Sequence, residues 1–196
     1  MRIEAACPSL VLLCIVTPAI RGLAQSPDSL AFRPGQWGAE FHVESGFAGA
    51  GALHFTSPTW AWLLDLGARY TRSAAASSGL AASNDALSLS LRIGRRRYAA
   101  ITHHVAPWTA FGITALYGWQ RSTRDTLTAR GHSIGGGLFG TLGATWFVTP
   151  HLGLGAQWGV TALYIYQRDS DSFGDSSYNA LSVSLPNMAL VGQIYF

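Results

Sequence analysis

From Gln36 to Phe196 the apolar residues of this chain recur at every second position, and no helical spacing competes with that period. The clearest run sets Trp60, Trp62, Leu64, Leu66, Ala68 and Tyr70 against Ala61, Leu63, Asp65, Gly67, Arg69 and Thr71. Another sets Leu87, Leu89, Leu91 and Ile93 against Ser88, Ser90, Arg92 and Gly94. Similar runs start near Trp37, Phe47, Trp108, His132, Leu152 and Asn179, which makes eight strands. In the last of them the phase slips near Pro186-Asn187, as at a bulge, because proline donates nothing to a ladder.

Alternation alone also suits a soluble sandwich that buries its apolar face. Composition separates the two. Charged residues make up 12% of the chain, against about 25% in ordinary globular proteins. The faces opposite the bulky residues are mostly Gly, Ala, Ser and Thr, too small to wet a soluble surface but suited to a narrow lumen. Trp37, Trp60, Trp108, Trp119, Trp146, Tyr164, Tyr166 and Tyr195 lie near strand ends and are expected to form interfacial girdles. The expected fold is therefore all-β: an eight-stranded antiparallel up-and-down transmembrane β-barrel.

Residues 1–24 read as a signal peptide. Arg2 precedes an apolar run from Ala5 to Ile20, and small residues at Gly22 and Ala24 favour cleavage before Gln25. Both cysteines, Cys7 and Cys14, lie in that segment, so the mature chain is expected to hold no disulfide or thiolate site. Leu13 before Cys14 argues against lipid attachment there. Residues 25–35 read as a short periplasmic leader and 36–196 as the barrel.

The connections alternate. Ser57-Pro58-Thr59 and Thr149-Pro150-His151 are tight, whereas Arg72 to Asp85, Arg121 to Gly131 and Arg168 to Tyr178 read as long polar loops. Short turns on one side and long loops on the other suit a Gram-negative-type outer membrane, and an even strand number places both chain ends in the periplasm. The link from Arg95 to Pro107 is longer than a periplasmic turn requires.

The chain ends Leu190-Val-Gly-Gln-Ile194-Tyr-Phe196. A terminal phenylalanine after alternating apolar residues resembles the assembly signal of outer-membrane barrels, carried here by Ile194 and Phe196. With the signal peptide and eight strands, the chain resembles the opacity-protein and OmpA-transmembrane-domain-like barrels. The resemblance implies insertion by the barrel assembly machinery. It leaves the role open among adhesion, membrane integrity, porin-like solute passage and lipid modification.

With apolar faces toward lipid, the lumen is expected to receive Glu40, His42, Glu44, His54, Asp65, Arg69 and Arg92. Strands five to eight offer Gly112, Gly135, Gly137, Gly143, Gly153, Gly155 and Gly159, which leave room for those side chains. Pairing Thr71 with Ala86 sets Asp65 opposite Arg92. All thirteen basic residues are arginine; they do not interleave with aromatics on one face, which argues against nucleic acid. Arg72, Arg121, Arg124, Arg130 and Arg168 fall at the outer ends, placed to meet lipopolysaccharide phosphates. Arg95-Arg96-Arg97 reads as a solvated charge run. His132-Ser133 is the one adjacent His-Ser pair, but neighbours on a strand face opposite ways and cannot act as nucleophile and base. His103-His104 has no third ligand nearby in sequence. No catalytic residue, metal or cofactor is expected. The expected function is structural or interactive, with a lumen plugged by charged side chains. A narrow channel for small or apolar solutes is the alternative, and a lipid A-modifying enzyme the third.

Overall fold

The computed structural model describes residues 32–44, 46–77, 80–99, 101, 104–124, 127–171, 174–185 and 188–196. The signal segment with Cys7 and Cys14, His103 and the Pro186-Asn187 pair lie outside the described residues. The strands are β1 Trp37–Glu44, β2 Phe47–Ser57, β3 Trp60–Ser77, β4 Leu80–Tyr98, β5 Val105–Arg124, β6 Leu127–Thr149, β7 Leu152–Asp171, β8 Gly174–Ser184 and β9 Ala189–Tyr195.

Each strand pairs antiparallel with the next through β8, and β9 bridges β7 and β1. Because β8 and β9 both pair with β7, they are two parts of one stave, and the ring has eight. Between Thr161↔Ser184 and Gln157↔Ala189 the register on β7 shifts by one residue, the paired numbers summing to 345 and then to 346. The shift accords with the phase slip expected in this stretch. It reverses the phase: Leu181 and Val183 point outward on β8, whereas Leu190 and Ile194 do so on β9.

The stagger of the ring follows from the pairing. From Phe41 one hydrogen-bonding row runs through Ala50, Leu66, Leu91, Ala115 and Gly136 to Tyr164. The other way it passes Gly192 and reaches Leu154. Both ends lie on β7, and 164 − 154 gives a shear of ten residues. Such a stagger forces the strands to tilt across the barrel axis.

Two turns share one chemistry. The Ser57 hydroxyl accepts the Trp60 N–H at 3.1 Å, and the Thr149 hydroxyl accepts the Leu152 N–H at 3.1 Å, each three residues on and across a proline. A register shift accompanies each, at Phe55/Ser57 and Phe147/Thr149. These turns, the β4–β5 link, the start of β1 and the end of β9 share one end of the barrel, here called the turn end.

At the other end the expected long loops are absent. Pairing continues from Arg72↔Asp85 to Ser77↔Leu80, from Arg121↔Arg130 to Arg124↔Leu127, and from Arg168↔Ser177 to Asp171↔Gly174. These segments are hairpins. Small or polar residues at successive positions erase the alternation by which a strand is recognised, while the backbone ladder continues regardless. The link read from Arg95 to Pro107 is also shorter, since β4 runs to Tyr98 and β5 starts at Val105.

Outward positions carry Trp62, Leu64, Leu66, Ile113, Leu138 and Leu154, all exposed. β2 departs from expectation. Leu53 and Phe55 point inward and are fully buried, whereas Ala48 and Ala50 point out. His54 faces out with them, its ring 4.6 Å from that of Trp37, so it is not a lumen residue. Trp108 and Tyr195, expected in the girdles, are buried inside as well. The reason is common to all four. Near the turn end the interior must be filled with bulk, and the rule that bulky residues face lipid fails there.

Glycine makes room for this bulk. A Cβ at Gly143 would lie 2.3 Å from the Trp108 ring, whereas one at Gly192 would meet nothing within 4 Å. Gly143→Ala should therefore cost about 1–3 kcal/mol, and Gly192→Ala less than about 0.5 kcal/mol, in urea unfolding of the micelle-refolded barrel followed by tryptophan fluorescence. Equal midpoints for the two variants would contradict the inward packing of Trp108.

Candidate functional site

One connected set of interior polar groups lies near the turn end. Glu40, on β1, and Arg96, on β4, are 2% and 1% exposed. They meet across the barrel, with Arg96 donating from both terminal nitrogens to the Glu40 carboxylate, one bond at 2.8 Å. The Gln193 amide also donates to Glu40. Its carbonyl accepts from the Tyr195 and Thr145 hydroxyls, each at 2.7 Å. The Trp108 indole N–H donates to Thr145 at 3.1 Å, and the Arg96 guanidinium lies 3.8 Å over the Trp108 ring. A buried ion pair is tolerable when most of its remaining hydrogen-bonding capacity is met; this network meets it for the Glu40 carboxylate and the terminal nitrogens of Arg96, and leaves the buried Arg96 Nε without a partner among the described residues.

Below this set, at the turn end, lies an aromatic cluster. The Phe32 ring stacks on Phe55 at 4.2 Å and lies 4.5 Å from Tyr98, 5.3 Å from Tyr195 and 5.8 Å from Phe147. The Gly35 N–H donates to the Phe55 carbonyl, and Phe55 N–H to the Gln36 carbonyl. Gly35 sits at φ 86°, a conformation that suits glycine.

Above the set, Asp65 pairs across the strands with Arg92 in the expected register, at 3.9 Å. His42 Nδ1 lies 3.6 Å from Asp65, beyond hydrogen-bond length. Glu44 and Arg92 line a small cavity with Thr141, Gln157 and Thr161. Arg69 continues the inward phase of β3 but is exposed at the hairpin end. Of the seven expected lumen residues, the structure thus gathers Glu40, His42, Glu44, Asp65 and Arg92 inside, leaves Arg69 at the rim and places His54 outside.

Sequence reasoning misses Arg96 because the arginine run reads as solvated. Extending the phase of Ile93 is the signal that finds it, since Arg95 and Arg97 then point out and Arg96 in. The Arg95 guanidinium lies 4.8 Å over the Trp60 ring and 5.4 Å over Trp62, and that of Arg97 5.7 Å over Trp60.

On the outer wall, Arg72 pairs with Asp85 at 3.6 Å, and Arg168 bonds Asp175 at 2.6 Å. Arg121 and Arg130 stand directly opposite each other; Arg124 is the last residue of β5. The Ser170 and Arg168 hydrogen bonds hold the Asp175 carboxyl below its usual range, and the bond to Asp175 raises Arg168. A depressed carboxyl contributes above its unfolded pKa and loses that contribution as pH falls through the folded value. Both groups are fully exposed, so solvent screens the pair. His132 faces out, its Nδ1 3.3 Å from the Tyr117 hydroxyl, while Ser133 lies in the inward phase of β6. His104 sits in the β4–β5 link at φ 66°. Ile194 and Phe196 are exposed, and Phe196 exchanges backbone hydrogen bonds with Trp37.

No protein-family model matches the chain, and no curated protein matches its sequence. Among solved structures, a major outer membrane protein from Thermus thermophilus is similar at 14% identity and TM-score 0.55, over 82% of this chain and 98% of that one. Acinetobacter baumannii CarO, at 14% identity and TM-score 0.39, covers 83% of this chain and 97% of its own. Ail, the attachment invasion locus protein of Yersinia pestis, at 12% and 0.35, covers 82% and 93%. The fold is that of bacterial outer-membrane β-barrels.

The Glu40–Arg96 pair yields a stability test. Glu40→Ala leaves a buried guanidinium uncompensated and should cost about 3–5 kcal/mol, while Glu40→Met with Arg96→Met should recover most of that loss. Urea unfolding of these variants, of Arg96→Met alone and of the wild type measures the coupling. Additive losses would show that the two side chains do not depend on each other.

Proposed function

We propose that this chain is an integral outer-membrane barrel of the opacity-protein and OmpA-transmembrane type, with a closed lumen and a structural or interactive rather than catalytic role. One observation carries the reading: the barrel is inside-out. Its exposed wall is apolar, and its buried interior holds Glu40, His42, Asp65 and Arg96. The height of the wall supports it. From Trp60 to Tyr70 is ten residues (70 − 60) on one outward face of β3. At about 3.3 Å per residue and a tilt near 40° that is about 25 Å along the axis, the height of an outer-membrane apolar band.

The aromatic cluster around Phe32 and the charged set above it support a closed lumen rather than a solute channel. The opposite facing of His132 and Ser133 supports a role without catalysis. The start of β1 and the end of β9 lie with the short turns, which supports a periplasmic position for both ends of the barrel. The exposed Ile194 and Phe196, on the stave that closes the ring, suit recognition by the assembly machinery.

The test is vesicle insertion. Leu64→Arg should lower stability by about 2–4 kcal/mol and Tyr70→Arg by about 0–1 kcal/mol, following depth in the bilayer. Equal tolerance of both would overturn the membrane reading. In planar bilayers the wild-type protein should carry no steady unitary current; a steady current would replace the closed lumen with the channel.

A further inference from the structure

We propose that Arg121 and Arg130 form a phosphate clamp on the outer wall, taking the phosphate of an outer-leaflet phosphoglycolipid. The inference rests on the membrane reading above. Arg121 and Arg130 are direct cross-strand partners at the base of the β5–β6 hairpin, and both are exposed. Directly opposed residues hold their Cβ atoms about 4.5–5.5 Å apart, and like charges in that relation repel. A sheet that keeps two opposed cations favours an anion between them.

The neighbouring arginines show the contrast. One outward row runs Arg72, Asp85, Arg121, Arg130 and Ser170. Asp85 also stands opposite Arg121, but its contacts go to Arg72 and to the Tyr70 hydroxyl. Asp175 is taken by Arg168 and Ser170. Among the described residues, Arg121 and Arg130 have no carboxylate within ion-pair distance. Four outward arginines thus share two carboxylates, and the unmatched charge falls on the two that face each other.

Their height suits a lipid headgroup. Trp119 and His132 lie one outward step toward the turn end and are themselves cross-strand partners; Tyr117 lies one step further. Aromatics of this kind sit where acyl chains meet headgroups, so the guanidiniums stand at phosphate level. Two guanidinium forks can each offer paired N–H donors to a phosphate, a geometry that lysines could not supply.

The experiment uses the full mature barrel in detergent micelles, titrated with bis-phosphorylated lipid A, with its dephosphorylated form, and with inorganic phosphate. Native mass spectrometry reads the retained lipid. The phosphorylated lipid should be held about tenfold more tightly than the dephosphorylated one by the wild-type protein and by Arg97→Gln, which removes an outward arginine at the turn end, and that preference should vanish in Arg121→Gln with Arg130→Gln. Undiminished preference in the double variant, or equal retention of the two lipids by the wild type, overturns the clamp. Phosphate binding without added lipid retention overturns the lipid assignment and leaves a site for free anions. Heat-modifiable mobility of each variant after vesicle insertion reports the barrel independently, so a lost clamp is not mistaken for a failed membrane reading.

Discussion

Closure of the ring between β1 and β9 is the constraint from which the rest follows. In hydrocarbon an unpaired backbone group costs several kcal/mol, and an open sheet edge exposes a whole row of them. The six partnerships from Gly38↔Tyr195 to Val43↔Leu190, with the Trp37–Phe196 bonds beyond them, remove that edge. Closure with a shear of ten also fixes which residues look at each other across the lumen. Glu40 and Arg96 are three strands apart in the sheet, yet the stagger and tilt set them face to face.

A lumen this narrow leaves little choice about its contents. Eight staves enclose room for side chains and not much else. Glu40 and Arg96 can be buried because their charges meet and because Gln193 and the ring face of Trp108 pack against them. Trp108 fits in turn because Gly143 has no side chain. Removing one member leaves another unsatisfied or unsupported, so the interior near the turn end behaves as a single packed unit.

The outer wall obeys the opposite rule. Its apolar residues need no partner from the chain, and small residues such as Ala48 and Ala50 serve as well as leucine because lipid adapts to them. Beyond the apolar band, the hairpins keep their ladders while their residues turn small or polar. There charge balance, rather than packing, distinguishes one arginine from the next.

Much of this is legible in the residues alone. Strict alternation from Trp60 to Thr71 and from Leu87 to Gly94 determines which side chains share a face, because a strand turns each successive side chain over. A facing plus one hairpin register then places Asp65 opposite Arg92. The arginine run and β2 resist the same reading. In the first, polarity suggests exposure where the fold buries a charge; in the second, bulk suggests lipid where the fold fills its interior. Tertiary structure alone decided the partner of Arg96, the inward turn of Leu53 and Phe55, and the seating of Phe32 among four rings. Alternation is a property of neighbouring residues, whereas a contact across the lumen depends on the shear accumulated over every strand between its partners.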